Sequence, residues 1–267
     1  MPHLARICIY PIKSLDGVIL SQATILPSGA LKGDREFAIF DEQGKVVNGK
    51  RTAKVHSLRS SFDLEARTVT VRVKGREQAW AFHLDAEGKL LSAWLSDYFG
   101  YAVQVLQNLE MGFPDDTHAS GPTLISTETL KAVNSWFPEL DLEDLRSRFR
   151  TNLEIAEVPP FWEDHLFTAV GDTVPFQVGD VRLEGVNPCQ RCIVPTRNAL
   201  RGEVYANFQK IFVAKRRETL PAWALLSRFN HFYRLAINTQ VPESEAGKTV
   251  RIEDLVQGLK IGRPPFH

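Results

Sequence analysis

Two of the three cysteines in this chain, Cys189 and Cys192, stand three positions apart with Arg191 between them. A thiolate is a strong nucleophile and a soft metal ligand, so the position of a few cysteines is informative about chemistry. The guanidinium of Arg191 favours the anionic form of a neighbouring sulfur. We therefore expect any chemistry that this protein performs to involve this segment.

The cysteine pair alone is compatible with several kinds of site. The pair could form half of a structural zinc site. That site needs two more ligands, but only Cys8 and seven scattered histidines remain, and no second cysteine pair exists. A thioredoxin-like dithiol would open a helix, whereas Ile193-Val194-Pro195 follows here and predicts extended chain. Two buried, unreactive thiols are a further interpretation. The motif by itself does not decide between that interpretation and a reactive site.

Cations and hydrogen-bonding groups accumulate near predicted strand ends: Lys13, Ser14, Arg35, Arg148, Arg150 and Asn152. In a strand, residues two apart share a face, so Arg148, Arg150 and Asn152 would point the same way. Guanidinium and amide groups on one face suit an anionic ligand such as a phosphate. Taken singly, each has an ordinary alternative role in a solvated turn, a surface ion pair or a solvated face. Together they indicate a local cationic site.

Composition restricts the function classes. The 267 residues contain 32 Lys and Arg and 32 Asp and Glu, so the net charge is zero. This balance argues against a nucleic-acid-binding protein held by bulk electrostatics. An odd number of cysteines suits a reducing compartment. The sequence has no signal-peptide core and no apolar run near 18 residues, so we expect a cytoplasmic protein without membrane association.

The elements that must position these residues are mostly strands. In the first half, short apolar runs between turn pairs predict strands at 4–10, 18–26, 35–40, 68–73, 79–84 and 102–107. Apolar residues at helical spacing predict a helix over 88–100. Residues 108–122 are rich in Gly, Pro, Asp and Ser, and they form the best candidate for a domain boundary. Regular short strands of this kind favour a barrel or a sandwich.

The second half predicts a helix over 127–136, capped by Ser126 or Thr127. Strands are predicted at 151–157, 174–177, 180–186, 190–194 and 232–238, with a short β ending to 261. Residues 204–227 are predicted to be mostly helical. The fold class is therefore mainly β (α+β), with the cysteine pair at the edge of a late strand.

Five short motifs carry a family resemblance. They are Tyr10-Pro11-Ile12-Lys13-Ser14, Gly33-Asp34-Arg35, Leu124-Ile125-Ser126-Thr127-Glu128, Arg148-Phe149-Arg150-Thr151-Asn152 and Cys189-Gln190-Arg191-Cys192. In this order the chain resembles MOSC-domain proteins with an N-terminal β-barrel domain, the group that contains the mitochondrial amidoxime-reducing components and their bacterial relatives. The resemblance covers nearly the whole chain. It implies an N-terminal MOSC-type β-barrel subdomain in 1–118 and a MOSC β-barrel domain with a few helices in 119–267.

The resemblance also implies a molybdenum cofactor, a pterin dithiolene that carries a phosphate and takes one protein cysteine as metal ligand. In the family pattern the second cysteine has that role, so Cys192 is the expected metal ligand and catalytic residue. The expected cofactor-binding residues are Lys13, Ser14, Arg35, Ser126, Thr127, Arg148, Arg150, Asn152, Cys189, Gln190, Arg191, His231 and Phe232. The last two come from a segment near the C-terminus that lacks the glycine usual in the family.

The implied activity is reduction of small N-hydroxylated compounds, with electrons from a separate ferredoxin-, flavin- or cytochrome-type protein. Two departures from the family pattern stand out: Thr151 replaces a proline, and Asn198 stands where an aspartate is common. Three alternatives remain open at this point. They are a sulfur-transfer enzyme with a persulfide on Cys192, a cofactor carrier without catalysis, and a redox dithiol protein that forms a Cys189–Cys192 disulfide.

Overall fold

The computed structural model describes residues 1–199 and 202–258, and within them the chain forms fifteen strands and four α-helices. The strands are β1 (His3–Ile9), β2 (Val18–Leu20), β3 (Gln22–Thr24), β4 (Phe37–Asp41), β5 (Leu58–Asp63), β6 (Thr68–Val73), β7 (Ala79–His83), β8 (Val103–Gln107), β9 (Leu124–Ser126), β10 (Leu153–Ala156), β11 (Val174–Val178), β12 (Val181–Gln190), β13 (Arg234–Gln240), β14 (Thr249–Arg251) and β15 (Val256–Gln257). The helices are α1 (Gly88–Phe99), α2 (Thr127–Asn134), α3 (Leu142–Phe149) and α4 (Phe208–Glu218).

The largest sheet is a curled, eight-stranded one in the order β15-β11-β12-β13-β9-β10-β1-β2. Its one parallel pair among the described residues is β9 with β10. Alternation along β12 explains how one face is buried, because Val181 and Leu183 are fully buried while Arg182 between them is exposed. These side chains join a core with Leu4 and Ile7 of β1.

The first half adds a second core. The sheets β4-β8 and β5-β6-β7 pack with α1 around a separate buried cluster that includes Ile39 and Val69. Helix α1 buries Leu91, Leu95 and Phe99, one turn apart, on the face that meets this cluster. It ends at Gly100, whose φ of 81° is the left-handed conformation that glycine adopts without steric cost.

Strand pairing joins the two halves of the chain. β1 pairs antiparallel with β10, and β3 pairs antiparallel with β14. Both pairs link residues that precede position 118 with residues that follow it. The division into 1–118 and 119–267 stays a prediction, and the backbone hydrogen bonds across it make the large sheet common to both parts.

The predicted fold class is confirmed: the protein is mainly β with a few helices. Several local predictions are wrong. Residues 190–194 are not a strand, because β12 ends at Gln190 and a 3-10 turn follows at Val194–Thr196. Strand β5 was not predicted, and the helix predicted over 204–227 is confined to α4. Part of the predicted β ending, 259–261, lies outside the described residues.

The interpretation of Arg148 and Arg150 as strand residues is also wrong. Asp141 caps helix α3 by accepting a hydrogen bond from the Asp144 amide, and the helix runs to Phe149. Arg148 is therefore helical, and Arg150 is the C-cap residue in the left-handed conformation. Only then does the chain extend into β10. Across residues 1–199 and 202–258, none of the helices has the length and apolar character needed to cross a bilayer.

Candidate functional site

A cavity of about 940 Å³ lies between residues 13–59 on one side and residues 111–238 on the other. Its walls contain both Cys189 and Cys192. Among the described residues, ten lysines and arginines line it against four aspartates and no glutamate. A protein with no net charge therefore concentrates positive charge around its cysteine pair, and an anionic ligand would be attracted to this cavity.

The cysteine loop begins in the sheet. Cys189 lies near the C-terminal end of β12, and Cys192 lies just beyond it. Both half-buried thiols are therefore positioned by the end of this strand. The Cys189 Sγ accepts a hydrogen bond from Arg191 Nη1 at 3.1 Å. The Cys192 Sγ accepts one from the backbone amide of Val194 at 3.4 Å. Each contact fixes the position of a sulfur atom at the cavity wall, where it could serve as a soft ligand.

Arg191 is itself fixed in place. Its Nη2 donates to the Phe149 carbonyl, and its guanidinium carbon lies 5.3 Å from the centre of the Phe149 ring. The backbone amide of Arg191 donates to the Tyr233 carbonyl at 3.0 Å. The arginine between the cysteines thus ties the loop to α3 and to the segment that precedes β13.

Tyr10 supports two cavity arginines. The guanidinium carbons of Arg150 and Arg35 lie 3.9 Å and 5.3 Å from the centre of its ring. Arg150 Nη2 also donates to the Leu15 carbonyl at 2.7 Å, and Arg35 donates to Asp34. Burial lowers the pKa of Arg150, and the charge of Arg35 acts in the same direction. A guanidinium titrates so far above neutrality that both arginines remain cationic.

Lys13 closes another part of the wall. Its side chain is 13% exposed, and its Nζ donates to the carbonyls of Phe113 and Pro114 at 2.8 Å and 3.2 Å. It also pairs with Asp115 at 2.9 Å. The following residue, Ser14, lines the cavity as well. The turn after β1 is therefore attached to the loop 111–123 through Lys13.

Three predicted site residues occupy the left-handed backbone region: Ser14 (φ 77°), Arg35 (φ 51°) and Arg150 (φ 52°). Side chains other than glycine rarely adopt this conformation. Such strain persists where the surrounding structure imposes it, and it is common at functional sites. Here it turns two arginines and a serine towards one cavity.

Asn152 and Arg148 line the cavity but are also tied to the fold. The Asn152 side chain is buried, donates to the Cys8 carbonyl at 3.0 Å and accepts from the Thr123 amide at 3.1 Å. Arg148 donates to the Pro195 carbonyl at 2.9 Å, directly behind the cysteine loop. Its guanidinium packs over Phe208. Gln190 lines the cavity next to Cys189.

Four predicted cofactor-binding residues do not line this cavity. Ser126 is fully buried, and its hydroxyl caps α2 by bonding to Thr129, so it has no free side to offer a ligand. Thr127 donates to Glu154 at 2.9 Å. Phe232 stacks on Phe229 with ring centres 6.0 Å apart. His231 likewise lies outside the lining, although Asn230 and Arg234 on either side of this pair belong to it.

The sequence reasoning also missed lining residues. Those with basic side chains are His56, Arg59, Arg197, Arg228 and Arg234, together with Lys50 and His118. Arg197 had a detectable signal, because it follows Cys192 by five positions. His56 and Arg59 had none, because they come from the segment around β5 in the first half and reach the cavity only through tertiary packing.

The cavity walls hold donors that lack acceptors. Six buried side-chain nitrogens of lining residues have no hydrogen-bond partner within residues 1–199 and 202–258: His56 Nε2 and the Nε atoms of Arg59, Arg148, Arg191, Arg197 and Arg234. A buried donor without a partner is costly, so such a cluster indicates that a ligand supplies the acceptors. Nowhere in the described part of the chain do three or more His, Cys, Asp or Glu side chains gather to hold a metal ion.

Comparison with protein-family models gives two matches that together span most of the chain. The MOSC N-terminal beta barrel domain matches residues 1–101, and the MOSC domain matches residues 119–256. The cysteine pair and α3 lie in the second match. Lys13, Arg35 and His56 lie in the first, so the cavity takes residues from both.

The similar curated proteins are molybdenum cofactor sulfurases. The one from Drosophila mojavensis is 25% identical over 231 residues, which cover 76% of this chain and 29% of that protein. The one from Danio rerio is 23% identical over 239 residues, which cover 71% and 27%. Molybdenum cofactor sulfurase 1 of Aedes aegypti is 32% identical over 74 residues, or 28% and 10%. The chain thus spans less than a third of the curated relatives it matches.

A solved structure is also similar in outline. The YuaD protein from Bacillus subtilis aligns over 96% of this chain and 94% of its own, with a TM-score of 0.45 and 10% sequence identity.

Proposed function

Because the chain belongs to the MOSC family and carries the MOSC N-terminal beta barrel domain before the MOSC domain, we propose that it binds a molybdenum cofactor and reduces small N-hydroxylated compounds. One observation carries the proposal: the half-buried Cys192 thiol stands on the wall of a cavity that ten lysines and arginines line, with six lining nitrogens that have no hydrogen-bond partner among the described residues. A metal held by one thiolate and by an anionic organic ligand needs such surroundings.

The residues present fit this cofactor. Cys192 would supply the thiolate, and the Val194 amide at 3.4 Å would support its negative charge. Lys13, Arg35 and Arg150 would hold the phosphate, because charge-assisted bonds from lysine and arginine are the strong ones for phosphate oxygens. Gln190 and the free arginine Nε atoms would meet the polar edges of the pterin. Cys189, which already accepts a hydrogen bond from Arg191, would remain beside the metal without binding it.

The reaction we propose converts an N–OH group and two protons, with two electrons, into N–H and water. The N–O bond breaks, the oxygen leaves as water, and the nitrogen keeps a new proton. When bound, the cofactor supplies the two-electron chemistry. The chain supplies binding and orientation: a preorganised cationic cavity on rigid strand ends that draws in a polar substrate. The electrons come from a separate donor protein of ferredoxin, flavin or cytochrome type.

Elemental analysis and cofactor extraction test the proposal most directly. Protein produced in a molybdenum-replete host should contain molybdenum and a pterin in a ratio to protein that approaches one. The same preparation, given a chemical reductant, should convert an N-hydroxylated compound such as benzhydroxamic acid into its amide. Protein that binds neither molybdenum nor pterin after such expression would refute the proposal. Metal and pterin without any turnover would instead indicate a carrier.

Sulfur transfer is a second candidate, and the names of the similar curated proteins favour it. In that case the Cys192 thiolate would take the outer sulfur from the persulfide of a donor protein, releasing the donor's thiolate, and would then pass that sulfur to an acceptor. Cyanolysis releases such sulfur as thiocyanate and gives a quantitative readout. Thiocyanate from wild-type protein but not from Cys192→Ser, in a preparation without molybdenum, would favour sulfur transfer over reduction. A reversible Cys189–Cys192 disulfide, measured by thiol counting after mild oxidation, would instead favour a dithiol function.

A further inference from the structure

A second cationic group lies in the cavity, apart from the Lys13, Arg35 and Arg150 group. His56 is 7% exposed and lines the cavity. Its Nε2 is buried and has no hydrogen-bond partner at acceptable geometry within the described residues, although the backbone of Gly49 lies beside the ring. His56 therefore brings a titratable ring, more than nine-tenths buried, to the cavity wall, with its Nε2 against the Gly49 backbone. A buried ring nitrogen without a well-formed hydrogen bond is stabilised by any ligand that supplies one.

Arg197 provides the second member. Its side chain lines the same cavity, and its buried Nε also lacks a partner within residues 1–199 and 202–258. The backbone of Arg197 is held, because its amide donates to the Val194 carbonyl at 2.9 Å. A held backbone and a guanidinium whose Nε lacks a partner among the described residues together favour recognition of an external carboxylate or phosphate.

Arg59 fixes the relative position of these two residues. It donates to the His56 carbonyl at 2.7 Å and to the Ala199 carbonyl at 2.9 Å, and its Nη1 pairs with Asp16 at 2.9 Å. One guanidinium thus attaches the segment that carries His56 to the loop that carries Arg197. Asp16 neutralises the charge of Arg59, so of the two arginines with the largest charge effect on His56, Arg197 is the one without an acidic partner among the described residues.

This His56–Arg197 subsite adjoins the cysteine loop. A Cβ atom placed on Gly49 would lie 2.7 Å from His56 Nε2 and 3.4 Å from Val194 Cγ2. Val194 in turn donates its amide to Cys192 Sγ. A small molecule whose reactive group is at Cys192 could therefore extend its other end towards His56 and Arg197.

The charges around His56 favour the binding of an anion. Burial lowers the pKa of His56, and the charges of Arg197, Arg59 and Arg150 lower it further, while the Gly49 backbone acts in the opposite direction. The imidazole is therefore neutral at neutral pH when the subsite is empty. An anion placed between His56 and Arg197 would favour imidazolium, so its binding should take up a proton.

We propose that His56 and Arg197 bind an anionic group of the substrate, so that the preferred N-hydroxylated compounds carry a carboxylate or phosphate at the end remote from the N–OH group. This inference rests on the proposed function only for the N–OH end of the substrate, which would react at the cofactor. The cofactor phosphate has its own cations in Lys13, Arg35 and Arg150, which belong to other segments of the chain.

The test compares two ligands that differ by one charge. Benzamide and 4-carbamoylbenzoate, the amide products of benzhydroxamic acid and of its 4-carboxylate, are titrated into the purified full-length protein by calorimetry. The carboxylate should bind at least about tenfold more tightly, the effect of one charge-assisted pair. Arg197→Gln and His56→Leu should each remove most of that preference. Arg76→Gln, a change at an exposed arginine outside the cavity, should leave it intact.

Three further measurements decide between outcomes. Affinity for 4-carbamoylbenzoate should rise as pH falls from 8 towards 6 in wild-type protein but not in His56→Leu. Equal affinity for the two ligands in wild-type protein would overturn the subsite. So would loss of bound molybdenum and pterin in Arg197→Gln, because the anion would then be the cofactor's phosphate. A carboxylate preference in protein that binds no molybdenum would support the subsite while the proposed reduction failed.

Discussion

The guanidinium carbon of Arg150 lies 3.9 Å from the centre of the Tyr10 ring, close enough for a strong cation–π contact, and Arg35 lies over the same ring at 5.3 Å. The tyrosine hydroxyl donates to the Thr151 carbonyl over a long distance of 3.4 Å, so this hydrogen bond is weak. The aromatic face of Tyr10 therefore helps to position the two arginines, together with Asp34 for Arg35 and the Leu15 carbonyl for Arg150.

Two substitutions at Tyr10 distinguish the effect of its aromatic ring from that of its hydroxyl group. Tyr10→Leu removes a contact of about 1–2 kcal/mol per buried guanidinium, so we expect the content of molybdenum cofactor per protein to fall at least about threefold. Tyr10→Phe keeps the aromatic face and should remain near the wild-type content. Equal content in Tyr10→Leu and wild-type protein would show that the arginines hold their positions without the ring.

The two cysteines should differ in effect. Cys192→Ser replaces a soft thiolate by a hydroxyl that does not ionise near neutrality, so we expect loss of reductase activity and of bound molybdenum in a protein that still folds and melts like the cofactor-free wild type. Cys189→Ser removes only the sulfur that accepts from Arg191 Nη1, and it should retain a measurable fraction of the activity. Metal analysis, turnover and thermal melts on both variants make the comparison. Full turnover by purified Cys192→Ser would remove the metal-ligand assignment.

Asn152 should matter for stability as much as for binding. Asn152→Ala leaves the Cys8 carbonyl and the Thr123 amide without their partner in a buried site, at a cost of about 2–3 kcal/mol. Urea unfolding measures this loss. Asn187→Ala is the matched control on the cavity wall. It loses a long 3.5 Å contact with Asp116 and one hydrogen bond accepted from Asn238 at 3.1 Å, so it should cost only about 1 kcal/mol. Equal losses would contradict the structural role of Asn152.

Glu163 should give the protein a distinctive dependence of stability on pH. Burial, and then the charge of Asp164, raises the pKa of Glu163 from 4.5 to about 7. Between these values the folded state binds more protons than the unfolded state, so stability falls as pH rises from about 4.5 to about 7. The complete loss is roughly 3 kcal/mol.

Glu163→Gln tests this assignment, since glutamine can still accept the hydrogen bond from Thr129 Oγ1. The variant should be more stable than wild type at pH 8 and similar to it near pH 4.5, as measured by urea unfolding at both pH values. Parallel stability profiles for the two proteins over this range would mean that Glu163 titrates normally.

Gly185 should tolerate no side chain. A Cβ atom there would lie 1.9 Å from the Leu166 carbonyl oxygen, within β12 and next to an irregularity in its pairing with β13. We expect Gly185→Ala to cost more than about 4 kcal/mol or to prevent folding. Gly88→Ala, at the first turn of α1 with nothing within 4 Å, should be neutral or slightly stabilising. Thermal melts by circular dichroism compare the two.

Sequence patterns predicted the elements whose periodicity is strong. The alternating apolar residues of β6 and the helical spacing of α1 sufficed, because each buries one face against a single core. For α3 the cap at Asp141 and the buried Leu145 and Phe149, four residues apart, were present in the sequence. Arg146, Arg148 and Arg150 overlap the end of this helix, and their alternation resembles that of a strand.

The site residues that could be predicted are those that belong to short sequence motifs with a recognisable chemical role. Cys192, Arg150 and Lys13 share one cavity, as the motifs indicated. Ser126 shows the limit of that reasoning, because the hydroxyl that the motif offers is used to cap α2. His56 shows the complementary limit: it reaches the cavity from the first half through packing against the loop after Cys192, and no local pattern contains that information.

The shared sheet has a consequence for how this architecture can evolve. Because β1 and β2 continue the sheet beyond β10, and β3 pairs with β14, removing the leading segment would uncover an unpaired strand edge, a template for aggregation. Recombination at the 108–122 connection therefore cannot exchange either recognised domain as an independent module. Shuffling between relatives succeeds only when both parts travel together, which also keeps the two walls of the cavity matched.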